Sequence, residues 1–214
     1  SQPLYDARAL VAGAGVVVVT LNYRMAALGF LELGGFDAGG RRFDSNLGLR
    51  DVLRALAWVR DNIAAFGGDP ARVTLSGESA GACITSTLLT SPAAAGLFSR
   101  AIVQSAPATS VYDAARAHRV AEQLLWQLGV TAAEAVSLPV QALVDASMRV
   151  FGDVPSVTPG TMAFAPIVDG DLVPDYPVEL ARAGRSLPVP LLIGTNRDEA
   201  SMFRYLRSPM MPIA

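Results

Sequence analysis

Residues 73–89 read VTLSGESAGACITSTLL. Val73, Thr74 and Leu75 suit a short buried strand, and Ala82 to Leu89 suits a helix that stops before Pro92. Between them Gly77-Glu78-Ser79-Ala80-Gly81 fits Gly-x-Ser-x-Gly. A serine between a strand and a helix must occupy a very sharp turn, and glycine at both flanks removes Cβ atoms that would clash there. Such a turn exposes the hydroxyl above the sheet. It also aims the next backbone N–H, and the positive end of the helix dipole, at the same space. At this chain's Gly and Ser content, three fixed positions arise by chance about 0.1 times in such a length. A Gly-rich turn with a capping Ser is the competing reading, and the strand before and helix after weigh against it.

Working outward, Val16 to Leu21 (VVVVTL) is β-branched and apolar throughout, which predicts a strand buried on both faces. A Gly-rich loop, Gly34 to Arg42, follows. From Asn46 to Phe66, Leu49, Val52, Leu53, Leu56, Val59 and Ile63 recur at helical spacing. Ser45 or Asn46 is placed to cap that helix and Gly67-Gly68 to end it, with Asp69-Pro70 making a turn. Further strands are expected at Ala101–Gln104 and Leu191–Ile193. Helices are expected at Asp113–Leu128, ended by Gly129, and at Ser137–Val150, with loop from Pro155 to Pro177. This alternation is that of an α/β chain, with a parallel sheet flanked by helices and joined by right-handed crossovers. Only about four strands are legible, and both edges of so apolar a sheet would be open. The chain reads as the middle of something larger.

Composition bounds the function. The chain has 214 residues, 51% of them hydrophobic and 17% charged, so a packed core is available and disorder is excluded. The net charge is −2, which offers no basic field for nucleic acid or an anionic membrane. All 17 basic residues are Arg, a bias that points to a GC-rich bacterial source. One cysteine, Cys83, excludes an intrachain disulfide, and one histidine, His118, excludes the usual zinc spacings, so no metal site is expected. The longest apolar run, Ala9 to Leu21, is shorter than the ~20 residues of a bilayer span. The single cysteine and the lack of a visible signal peptide favour the cytoplasm, although Ser1 in place of Met leaves targeting open.

A nucleophilic serine needs a base and an acid that orients the base; in α/β-hydrolases they follow in the order Ser, Asp or Glu, His. Asp198 and Glu199 both lie just after the strand ending at Ile193, and position alone does not choose between them. His118 precedes this acid and sits on a helix flank four residues before Glu122, a surface position rather than a base. The base is therefore expected beyond Ala214.

Five runs are similar to the type B carboxylesterase family, which includes cholinesterases and bacterial p-nitrobenzyl esterases. They are VVVVTLNYRMAALGFL (16–31), NLGLRDVLRALAWVRDNIAAFGGDPARVTLSGESAGA (46–82), GLFSRAIVQS (96–105), APIVDGDLVPDYP (165–177) and PLLIGTNRDEAS (190–201). The resemblance weakens from about 110 to 160. It implies an α/β-hydrolase fold, residues 1–214 being the central part of one catalytic domain. The family's Gly-Gly oxyanion loop is then expected before Ser1 and its catalytic His after Glu199. It implies Ser79 as nucleophile, the Ala80 N–H as an oxyanion donor and Glu199 as triad acid. Glu78 matches the acidic residue before the nucleophile, and Ser105 a polar position near the acid. Met162, Phe164, Met202 and Phe203 fall where relatives line the substrate pocket; as plain core residues they are nearly as well explained. Ser76, Ala106 and Ala200 depart from the family's usual Phe, Gly and Gly. Met202 replaces a frequent aromatic residue, which disfavours cationic substrates.

The expectation is a serine carboxylic-ester hydrolase acting through an acyl-enzyme on small to medium apolar esters. It implies no cofactor, no metal, no nucleic acid partner and no membrane span; the oligomeric state is open. The alternative is a truncated or catalytically dead module of the same fold with a binding role or none.

Overall fold

The computed structural model describes residues 6–37 and 39–210, so Ser1 and Ala38 of the Gly-rich loop lie outside the described residues. Along the chain run α1 (Arg8–Ala14), α2 (Ala26–Phe30), α3 (Leu47–Asn62), β1 (Thr74–Glu78), α4 (Ala80–Leu88) and β2 (Arg100–Gln104). Then come α5 (Ala114–Leu128), α6 (Ala132–Ala135), α7 (Val140–Val157), α8 (Pro177–Arg182), β3 (Leu191–Gly194) and α9 (Ser201–Tyr205). The strands form a parallel sheet in the order β1-β2-β3. Glu78 pairs with Gln104, and Gln104 with Gly194, so the three strands end level at their carboxyl edge.

The core follows from the periodicities. The α3 stripe buries Leu49, Val52 and Leu56 in one cluster with Leu75 of β1, Leu88 of α4 and Val103 of β2. Leu49, Leu88 and Val103 are fully buried, and truncating either leucine to Ala costs about 2–5 kcal/mol. A second cluster joins Val120 and Leu124 of α5 to Ala146 and Val150 of α7, with Ala27 of α2 and Phe164. Gly67 ends the short 3-10 turn Ile63–Phe66 that extends α3, and Gly129 ends α5, at φ 79° and 66°, where a Cβ is strained.

Three expectations are corrected. Val16–Leu21 is not a strand: no backbone hydrogen bond pairs it among the described residues, and Val16, Val17, Val19 and Leu21 are 36–44% exposed. A β-branched run prefers strand only where a pleated surface receives it. Second, neither Ser45 nor Asn46 caps α3 through its side chain. Asn46 is buried at φ 53°, and its amide donates to the Ile167 carbonyl and the Asp169 carboxylate while accepting from the Ile167 N–H. Ser45 Oγ donates to the same carboxylate. These side chains clasp a segment more than 120 residues away, and a buried amide with every partner met outweighs a single cap bond. Third, α7 continues to Val157 through Pro155, which falls in its last turn, where the missing N–H costs one ladder bond.

Candidate active site

Ser79 follows the last residue of β1 and precedes the first of α4. Its backbone sits at φ 54°, ψ −116°, a conformation that costs a non-glycine residue about 1–3 kcal/mol and persists only where the surroundings impose it. Two bonds impose it: the Ser79 N–H donates to the Gln104 carbonyl at 3.0 Å, and the Ser79 carbonyl accepts from the Cys83 N–H at 2.9 Å. Gly77 is required, because a Cβ there would lie 2.2 Å from the Gly81 carbonyl oxygen. Gly81 does not share the constraint expected of both flanks; an added Cβ would meet nothing within 4 Å. The seryl side chain is exposed at the sheet edge, and Ala80 opens α4 beside it.

The other candidates lie along the same edge. Ser105 follows β2, also at φ 54°, with its N–H donating to the Gly194 carbonyl at 2.8 Å. Glu199 lies in the turn after β3 and accepts from the Asn196 N–H at 2.5 Å, which fixes its carboxylate. The Asp198 side chain is exposed, and its backbone carbonyl accepts from the Ser201 N–H. Glu78 ends β1 and is exposed. The sheet thus brings Ser79, Ser105 and the Glu199 turn to the carboxyl ends of three adjacent strands. His118 is elsewhere, on α5, stacked on Phe36 with ring centroids 4.1 Å apart and its Nε2 3.6 Å from Glu122.

An apolar cavity of about 290 Å³ abuts Ala80, just under the ~300–1,000 Å³ usual for ligand pockets. Its floor is α4, which presents Ala80, Cys83 and Ile84 at one-turn spacing. Tyr23 and Phe30 form one side and Met148 and Phe151 of α7 another. Met162 and Phe164 close it, and among the described residues no charged side chain lines it. Met202 and Phe203 lie on α9, outside this lining, with Met202 61% exposed.

Burial dominates the electrostatics here. It pushes the Cys83 thiol up to about 11, so that no useful thiolate exists near neutrality. It also raises the Tyr23 phenol, with the neighbouring Cys83 adding to the effect. The cavity therefore offers a neutral, apolar surface that begins at Ala80, the residue after Ser79. Cys83 and Ile84 were findable from the sequence, being three and four residues after Ala80 on one helix face. Tyr23, Met148 and Phe151 were not, because only packing brings α7 and the segment before α2 to α4.

The pattern of the carboxylesterase family matches residues 1–211. The chain is 39% identical to the para-nitrobenzyl esterase of Bacillus subtilis over 207 residues, covering 95% of this chain and 41% of that protein. It is 35% identical to cholinesterase 2 of Branchiostoma lanceolatum, covering 98% of this chain and 62% of the relative. Among solved structures, the Geobacillus stearothermophilus carboxylesterase Est55 superposes with a TM-score of 0.84 at 40% identity, over 98% of this chain and 43% of that one. The chain thus spans less than two thirds of the length of each of these relatives. No helix among the described residues is long and apolar enough to cross a membrane. The match over nearly every residue, the parallel sheet flanked by helices and the strained seryl turn at its edge have one common explanation: the chain belongs to the carboxylesterase family and has the α/β-hydrolase fold.

Proposed function

We propose that the protein is a serine carboxylic-ester hydrolase acting on small to medium apolar esters. The observation that carries this reading is the Ser79 turn, strained at φ 54°, with an apolar cavity opening at the next residue. In this mechanism Ser79 Oγ attacks the ester carbonyl carbon. The base takes the Ser79 hydroxyl proton and passes it to the leaving oxygen, so that the ester C–O bond breaks, an alcohol departs and an acyl-enzyme remains. Water then gives a proton to the same base as it adds to the acyl carbon, and the proton returns to Ser79 Oγ as the acyl bond breaks and the acid is released. The Ala80 N–H, at the positive end of α4, donates to the oxyanion; losing one such donor typically costs 10²–10³ in kcat. Glu199 holds the base in its productive tautomer. His118 is engaged with Phe36 and Glu122, and the proposed base is a histidine outside residues 1–214, in keeping with the family's Ser-Glu-His order. Glu78 and Ser105 flank this machinery at the strand ends. The apolar part of the ester occupies the cavity between Met162, Phe164 and α4.

The test is intact mass spectrometry of the full-length protein before and after a fluorophosphonate, alongside turnover of a p-nitrophenyl ester. One adduct on Ser79, lost together with turnover in Ser79→Ala, supports the reading. A protein that takes no adduct and hydrolyses no ester overturns it.

A further inference from the structure

The cavity wall from Met162 to Pro166 belongs to no helix or strand, yet both of its ends are tied to one residue. Tyr112 Oη accepts from the Met162 N–H at 3.0 Å. The Tyr112 N–H donates to the Pro166 carbonyl at 3.0 Å, and the Tyr112 carbonyl accepts from the Val168 N–H at 2.8 Å, an isolated parallel bridge to Ile167. Met162, Phe164, Ala165 and Pro166 all line the cavity. Arg116 completes the clasp: its guanidinium lies 3.6 Å from the centroid of the Tyr112 ring and donates to the Met162 carbonyl. The backbone of Met162 is thus held at its N–H by Tyr112 and at its carbonyl by Arg116.

Arg116 stands where local rules disfavour it. It lies in the first turn of α5, at the positive end of the helix dipole. It is half-buried, and burial, with the nearby Arg119, lowers its pKa, countered in part by Tyr112 and Asp113. Its direct partners are an aromatic ring and a backbone carbonyl. Local rules of this kind are most often broken at functional positions, where something other than helix stability is gained.

We propose that Tyr112 and Arg116 are positioning residues that set acyl-chain selectivity by fixing the Met162–Pro166 wall of the cavity. The inference rests on the proposed esterase function and adds the device that gives its cavity a defined shape. Neither residue lines the cavity; both act through Met162. A wall free to shift would accept chains of different length with less discrimination, since pocket selectivity between homologous ligands depends on complementarity at the level of single methylenes.

The experiment compares kcat/KM of the full-length enzyme for p-nitrophenyl acetate, butyrate, hexanoate and octanoate with that of Tyr112→Phe, Arg116→Met and Arg116→Lys. Tyr112→Phe removes only the acceptor for the Met162 N–H, and Arg116→Met removes the donor to its carbonyl. Each is expected to flatten the chain-length profile by about threefold to tenfold, through KM for the longer esters. Arg116→Lys keeps a donor and restores most of the profile. Unchanged ratios in both Tyr112→Phe and Arg116→Met overturn the proposal while leaving the esterase reading intact. If Tyr112→Phe does not fold, Arg116→Met against Arg116→Lys decides alone. A wild-type enzyme that takes no fluorophosphonate adduct and turns over none of the four esters overturns the functional reading, and this inference with it.

Discussion

Ser79 and Ser105 leave neighbouring parallel strands one residue after the paired Glu78 and Gln104, each at φ 54°. The chain turns abruptly out of the sheet at the same level twice, and the two turns are linked, since the Ser79 N–H donates to Gln104, the residue before Ser105. The third strand joins the same edge, with Gly194 accepting from the Ser105 N–H. A row of backbone bonds thus spans the Ser79 turn, the Ser105 turn beside it and the strand that leads to Glu199.

The two glycines of the turn are expected to respond oppositely. Gly77→Ala drives a Cβ into the Gly81 carbonyl and forces rigid backbone to move, costing about 1–3 kcal/mol or more. Gly81→Ala adds a methyl to open space within α4 and is neutral or stabilising by up to about 1 kcal/mol. Urea unfolding of both variants checks the contrast.

The two adjacent acids are separable by rate. If Glu199 is the triad acid of the proposed mechanism, Glu199→Gln keeps the side chain's shape but removes its charge, and a loss of up to about 10⁴ in kcat is expected. Asp198→Asn is expected to change kcat by less than about threefold, in line with an exposed side chain. Steady-state kinetics on one ester settles the assignment, and the reverse order would move the acid to Asp198.

The Asn46 clasp predicts both a stability loss and an acid sensitivity. Asn46→Ala leaves the buried Ile167 N–H without its acceptor and costs about 2–4 kcal/mol in urea unfolding. Burial by itself would raise the Asp169 pKa, but hydrogen bonds from Ser45, Val173, Asn46 and Asp171 outweigh it and hold the carboxyl below its ordinary value. A carboxylate depressed in the folded state stabilises fully above its unfolded pKa of about 3.9, and that contribution is lost as pH falls through the folded value. Asp169→Asn should therefore flatten the acid limb of the stability–pH curve below about pH 4 and destabilise at neutral pH.

The edge strand predicts self-association. Leu191, Leu192 and Ile193 of β3 are 47%, 67% and 63% exposed, and β3 pairs only with β2 among the described residues. An apolar strand with one open edge templates pairing with another chain. The polypeptide of residues 1–214 alone is expected to elute from size exclusion above monomer size, and Leu192→Lys to shift it toward monomer. Elution of the unsubstituted polypeptide as a clean monomer would refute this.

Features whose determinants are local were legible in the amino-acid order. The Gly77-to-Gly81 turn announces itself because only a narrow set of residues tolerates a strand-to-helix reversal. The α3 and α5 stripes announce themselves because a helix brings every third or fourth side chain to one face, whatever lies opposite. Family resemblance then favours Glu199 over Asp198 as the candidate acid, a choice that position alone left open. Features whose determinants are distant were not legible. Val16–Leu21 has the composition of a strand, but pairing requires a neighbour, and none among the described residues bonds to it. Asn46 has the chemistry of a cap, yet its amide is satisfied by Ile167 and Asp169, more than 120 residues along the chain. Tyr112 gives no sign in the linear order that it holds both ends of the Met162–Pro166 segment. A side chain's partners are chosen in space, after helices and strands have packed, and hydrogen bonds between residues 50 or 120 positions apart leave no periodicity to read.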